Sequence, residues 1–107
     1  MPRIEDGIGF SVSVTHATSA VASQAAITGK KFYITSVAGS SDKAGALLLV
    51  KQGTTIIWQV QLQTTAAGFP AFQQSFPKPL EGAVSALVSV TVDGTSVCYA
   101  NIAGFYY

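Results

Sequence analysis

At 107 residues the chain has the length of one domain, and 49% of it is apolar, which excludes wholesale disorder. Only 10% is charged, where ordinary soluble domains carry about 25%. A net charge of +1 gives no field to hold nucleic acid or an anionic membrane surface.

Residues 1–9 open the chain with Met1-Pro2-Arg3-Ile4-Glu5-Asp6-Gly7, and no apolar stretch follows their single Arg. They therefore read as a polar arm rather than a secretory signal, with a β-sandwich domain over 10–107 and synthesis in the cytoplasm. Phe10, Val12 and Val14 then alternate with Ser11, Ser13 and Thr15, the period of a half-buried strand. Residues 17–28 are open between a helical turn, which the propensity of Ala20 to Ala26 allows, and a short strand. Gly29-Lys30 just before the next strand favours the strand and a tight turn.

Phe32 and Ile34 alternate with Tyr33 and Thr35 in a strand that runs to about Ala38. Residues 45–51 make a strand apolar on both faces, and Gln52-Gly53 turns it into a partner over 54–62. There Ile56, Trp58, Val60 and Leu62 share one face, with Thr55, Ile57, Gln59 and Gln61 on the other. Between residues 66 and 82, Phe69-Pro70 and Phe76-Pro77-Lys78-Pro79 bracket Phe72. Prolines donate nothing to a ladder, so this segment predicts an edge strand between loops. Val84, Ala86, Val88, Val90 and Val92 line one face of the next strand. Asp93-Gly94 is the strongest hairpin signal, and a return strand runs from Thr95 towards Tyr106. About seven or eight short strands without a helical period predict an all-β, single-domain antiparallel sandwich or small barrel.

The residues that carry chemistry are scarce. His16 is the only histidine and sits at a strand end, the place of a surface or capping residue. Of the carboxylates, Glu5, Asp6, Asp42 and Glu81 fall in tail or loops and Asp93 in a turn, so no triad or carboxylate pair is visible. One Cys and one His cannot build a zinc site in a single chain, and Asn101 as the only asparagine does not make a calcium loop. Gly7-Ile8-Gly9 precedes a strand rather than a helix, which is not a dinucleotide loop. Cys98 reads as a core filler without a disulfide partner. The expectation is no enzyme, no cofactor and no metal. The longest apolar run, Ala44 to Val50, is far short of the ~20 residues that a spanning helix needs.

Several strands have two apolar faces. Cys98, Ala100 and Ile102 oppose Val97, Tyr99 and Phe105; Leu47 and Leu49 oppose Leu48 and Val50; Ile57 and Leu87 stand on faces that are otherwise polar. Loops or a register-shifting bulge explain such a pattern within one chain. A subunit interface explains it between copies, and that is the expectation here. Its residues are Leu87, Val97, Tyr99, Phe105, Tyr106 and Tyr107, with the aromatic terminus as anchor. Trp58 alternates in phase with Ile56 and Val60 and so belongs to the core; with the tyrosines at an interface, glycan stacking is disfavoured.

The run Gly29-Lys30-Lys31-Phe32-Tyr33-Ile34-Thr35-Ser36-Val37, then Ser40-Ser41 and Gly53-Thr54-Thr55, resembles a family of small bacteriophage virion proteins. Phe76-Pro77-Lys78-Pro79-Leu80 and Gly94-Thr95-Ser96 with Ala103-Gly104-Phe105-Tyr106-Tyr107 add to the likeness. The family comprises capsid decoration or cement subunits and related tail and spike modules. The resemblance implies a jelly-roll-like sandwich, a homotrimer, the major capsid protein as partner, and a place on the virion surface. It carries over no catalytic residue. It makes the arm residues Arg3, Ile4, Glu5 and Ile8 the expected capsid contacts. Its alternative is a tail, neck or head-spike module that binds glycans for host attachment.

Overall fold

The alternating segments form eight strands in a computed structural model that describes residues 8–43, 45–62, 71–94 and 97–107, the side chain of residue 71 apart. They are β1 (Ile8–His16), β2 (Ser19–Gln24), β3 (Lys31–Ser41), β4 (Leu47–Gln52), β5 (Thr55–Gln61), β6 (Ala71–Val84), β7 (Val88–Asp93) and β8 (Cys98–Tyr106). β1 pairs with β8, β2 with β7, β3 with β6 and β4 with β5, every pair antiparallel. These nested pairs form one long ribbon with the β4–β5 hairpin at its tip. The ribbon rolls over so that β3 lies beside β8 and β4 beside β7. Two sheets result, in the orders β1-β8-β3-β6 and β2-β7-β4-β5. That winding is a jelly roll, the sandwich form that the resemblance implied.

Every strand turns one face inward. Phe32, Ile34, Val37, Ala100, Ile102 and Tyr106 from the first sheet meet Ala20, Ala22, Leu48, Val50, Val88, Val90 and Val92 from the second. Each large side chain enclosed this way contributes about 1.5–3 kcal/mol. At one side of the sandwich Trp58 of β5 spans the gap to β6, its ring centroid 6.0 Å from Phe72 and 5.3 Å from Phe76. Trp58 thus closes an edge of the core, as its phase with Val60 predicts. At the other side β1 passes into β2 through Ala17-Thr18.

Residues 19–24 adopt the strand rather than the helical turn, because pairing with β7 buries Ala20 and Ala22. Gly29 (φ 80°) makes the tight turn before β3. Four expectations are corrected. Asp93-Gly94 is not a hairpin: β7 and β8 lie in different sheets. The dipeptide crosses between layers, where the Gly94 amide donates to the Thr18 carbonyl at 2.9 Å. Val84 does not share a face with Val88; it ends β6 opposite Lys31, and Ser85 (φ 58°) breaks the chain before β7. Ile56 does not share a face with Trp58. Val50 pairs with Trp58 but Lys51 with Ile56, so Ile57 is a bulge residue and turns inward while Ile56 turns out. Ile8 and Gly9, expected in the arm, begin β1 opposite Tyr106 and Phe105. Residues 1–7 of that arm, residues 66–70 of the edge segment, and Thr95 and Ser96 lie outside the described residues.

Gly104 is where β8 and β3 come closest. A Cβ there would stand 2.1 Å from the Tyr33 carbonyl oxygen, whereas one on Gly9 meets nothing nearer than 4.0 Å. Backbone cannot move aside as a side chain can. Gly104→Ala is expected to cost about 3 kcal/mol of unfolding free energy, the upper range of overpacking. Gly9→Ala is expected to stay within about 1 kcal/mol of the parent. Urea denaturation of both variants checks the difference, and matching midpoints would refute the close approach.

Candidate functional site: two sheet faces of opposite character

The outward side chains of the two sheets differ in kind. On the β2-β7-β4-β5 sheet, cross-strand partners form rows. Val21, Thr91, Leu49 and Gln59 make one; Ser23, Ser89, Lys51 and Ile56 make the next. Val21 is 47% exposed and Ile56 48%, and Leu47 and Leu87 are exposed beside them. Leu87 sits at the end of β7 nearest the Gly53 turn, its carbonyl accepting the Gly53 amide at 2.9 Å. The charges within these two rows reduce to Lys51. Large aliphatic groups therefore face water at several points of this sheet, set among Ser23, Lys51, Gln59 and Thr91.

The β1-β8-β3-β6 sheet presents rows of small and polar groups. Ser11, Ala103, Ser36 and Ser75 form one row, and Ser13, Asn101, Ala38 and Gln73 the next. At one end the row Gly9, Phe105, Tyr33 and Glu81 rises above them. Phe105 and Tyr33 stack there with ring centroids 5.1 Å apart and planes 13° from parallel. At the other end Tyr99 stands 41% exposed beside Ser40. Small residues between tall ends make a trough across all four strands, with a central hollow of about 190 Å³. It continues on one side to Tyr99 and Phe72, and on the other to Gly9 and Thr35. A bulge at Thr35, whose hydroxyl donates to the Ala103 carbonyl at 3.2 Å, sets which β3 residues line it.

The expected interface residues do not gather on one surface. Leu87 belongs to the aliphatic sheet, Tyr99 to the trough, and Tyr107 is exposed beyond β8, where its backbone exchanges two hydrogen bonds with Lys31. Val97 is half-buried, its carbonyl accepting the Asp42 amide. Phe105 and Tyr106 are corrections: at 2% and 0% exposure they are enclosed within their own chain. Tyr106 follows the inward parity of Cys98, Ala100 and Ile102, and its hydroxyl lies within reach of the Gln24 and Ala86 carbonyls at 3.4 and 3.3 Å. Burial raises that phenol above its ordinary pKa. Phe105 has outward parity, but Tyr33 covers it. Val21, Leu47 and Ile56 are exposed and Leu49 is half-buried on the same face, a set that the strand pattern left unassigned; the doubly apolar run 46–50 was the available signal. Of the expected capsid contacts, Ile8 is exposed at the start of β1, and Arg3, Ile4 and Glu5 lie outside the described residues.

His16 caps the β1–β2 crossing, its Nδ1 accepting the amides of Thr18 and Ser19 at 3.2 and 3.3 Å. Glu81 accepts from Lys31 Nζ and the Tyr33 hydroxyl, both at 3.2 Å. The Lys31 hydrogen bond and charge hold the Glu81 carboxyl below its ordinary pKa, and Tyr33 is raised, first by burial and then by Glu81. Among the described residues no three of His, Cys, Asp or Glu come together to hold a metal, and no helix is long and apolar enough to cross a membrane. Comparison with protein-family models, curated proteins and solved structures finds no match for this chain.

Cys98 is fully enclosed, its Sγ donating to the His16 carbonyl at 3.3 Å. Burial pushes the thiol above its ordinary value of 9.0. A raised folded pKa means this contribution to stability is present below the pH where the unfolded thiol ionises, and is lost as pH rises through the folded value. A thiol-reactive disulfide dye at about pH 8 is expected to leave the native protein unmodified and to label one thiol per chain in denaturant. Rapid native labelling would contradict the enclosure.

Proposed function

We propose that the chain is a structural virion subunit, a bacteriophage capsid decoration protein that self-associates as a trimer and bridges capsid subunits on the head surface. The observation that carries the reading is the set of exposed aliphatic side chains on the outer side of the β2-β7-β4-β5 sheet, Val21, Leu47, Ile56 and Leu87. Four large aliphatic groups exposed on one side of a small soluble domain favour a contact site. The charge-poor composition supports the same reading, since mutual coverage of copies replaces charge as the means of staying soluble. The likeness of the 29–37, 76–80 and 103–107 segments to virion proteins supplies the setting. A stable contact needs about 800 Å² from each partner, which one face of a four-stranded sheet can provide.

Decoration of this kind acts by linkage. A trimer that binds only the assembled lattice stabilises that lattice in proportion to its occupancy, without any chemical step. The partners are copies of this chain and the major capsid protein.

Multi-angle light scattering is expected to give about three times the 11.1 kDa chain mass. The double variant Leu47→Glu, Ile56→Lys is expected to be monomeric with its strand content retained, because both side chains already face water within the chain. Particles assembled with that variant are expected to release their contents at lower temperature than those with the parent. A monomeric parent at micromolar concentration would sink the proposal.

A further inference from the structure

The trough on the opposite sheet is not explained by self-association through the aliphatic face. Its lining combines four features. Ser11, Ser13, Ser36, Gln73 and Asn101 place hydroxyls and amides, which both donate and accept, along its floor. None of these five side chains hydrogen-bonds another described residue, so their capacity is turned outward. Among the described lining residues there is no Asp, Glu, Lys, Arg or His. Tyr99, exposed at one end, presents an aromatic ring with a hydroxyl.

Each feature restricts the ligand. The absence of cationic groups gives no hold on phosphate, sulfate or nucleic acid, for which basic grooves are the rule. The polar floor does not suit a lipid or an apolar side chain, which would strip water from five unsatisfied groups. A neutral polyhydroxyl chain matches all four: hydroxyls meet both donors and acceptors, the ligand brings no charge, and its apolar ring face covers an aromatic platform. Across four strands at about 4.8 Å spacing the floor extends some 14 Å, room for a short run of sugar rings.

We infer that the outer face of the β1-β8-β3-β6 sheet is a binding site for a neutral polysaccharide. Asn101 and Gln73 hold ring hydroxyls in the centre of the trough and Tyr99 stacks against one terminal ring. Because the two sheets face opposite ways, the site works whether or not the aliphatic face is covered.

The test is a two-dimensional amide NMR titration of the full chain with millimolar cellohexaose, maltohexaose and xylohexaose, and with a heparin hexasaccharide as the anionic comparison. At least one neutral probe is expected to shift resonances of Ser13, Gln73, Tyr99 and Asn101. Tyr99→Ala and Asn101→Ala are each expected to weaken that binding about tenfold or more, while Tyr107→Ala leaves it unchanged. Silence of all three neutral probes, stronger binding of the heparin fragment, or affinity that survives both trough substitutions would overturn the inference. Light scattering on the same samples reads self-association separately, so one proposal can fail without the other.

Discussion

A one-residue slip reverses the direction of every side chain beyond it, and two such slips decide both faces of this molecule. In β3 the bulge at Thr35 lets Ile34 point inward and Val37 point inward too, so Ser36, Ala38 and Ser40 face out. Unbroken alternation from Phe32 would have sent Val37 out and buried serines among valines. In β5 the bulge at Ile57 keeps Trp58 and Val60 against the core while turning Ile56 to solvent. The first slip makes a polar trough, and the second completes an aliphatic face. Neither bulge alters the winding of the roll, so the fold and its two surfaces are set by separate features of the sequence.

Charge poverty acquires a structural meaning in this light. The described ion pair, Lys31 with Glu81, sits at one end of the first sheet and is exposed to solvent on both sides. Such a pair stabilises little. Both charges of this pair lie away from the trough floor and on the sheet opposite Val21, Leu49 and Ile56. Glu81, held below its ordinary pKa, favours the folded state above the carboxylate range and loses that contribution as pH falls through its folded value. The roll itself rests on apolar contact between layers, which does not change as Glu81 titrates.

Much of the architecture was legible in the residues. Period-two alternation located β1, β3 and β5, a run apolar on both faces located β4, the prolines of β6 marked an edge, and Gln52-Gly53 fixed the hairpin at the ribbon's tip. What misled was local turn chemistry read without topology. Asp93-Gly94 has the composition of a hairpin turn, yet the inward parity of both Val92 and Cys98 commits β7 and β8 to opposite layers. The candidate site was less legible. Exposure follows strand parity, and parity depends on bulges that no single residue announces. Tyr106 was the exception: it is in phase with Ile102 and Ala100, and its terminal position outweighed that phase. The trough could not be seen in advance, because Ser13, Asn101, Ala38 and Gln73 are separated by up to 88 residues and become neighbours only through pairing.

Two faces on opposite sides of one core allow assembly and ligand binding to reinforce each other without conformational change. A shallow, uncharged trough has few strong contacts available, and the affinity of one copy for one glycan segment is correspondingly weak. Self-association changes the arithmetic. In the proposed trimer, three troughs held together would convert second and third contacts into intramolecular events, whose effective concentration depends on spacing rather than on any new interaction. On the two proposals together, a side chain such as Ile56, which lies on the sheet opposite the trough, would govern apparent glycan affinity through the number of copies it keeps together. The trough residues govern affinity per copy and leave assembly alone. Separating these two dependences by substitution is possible because the bulges placed them on different sheets.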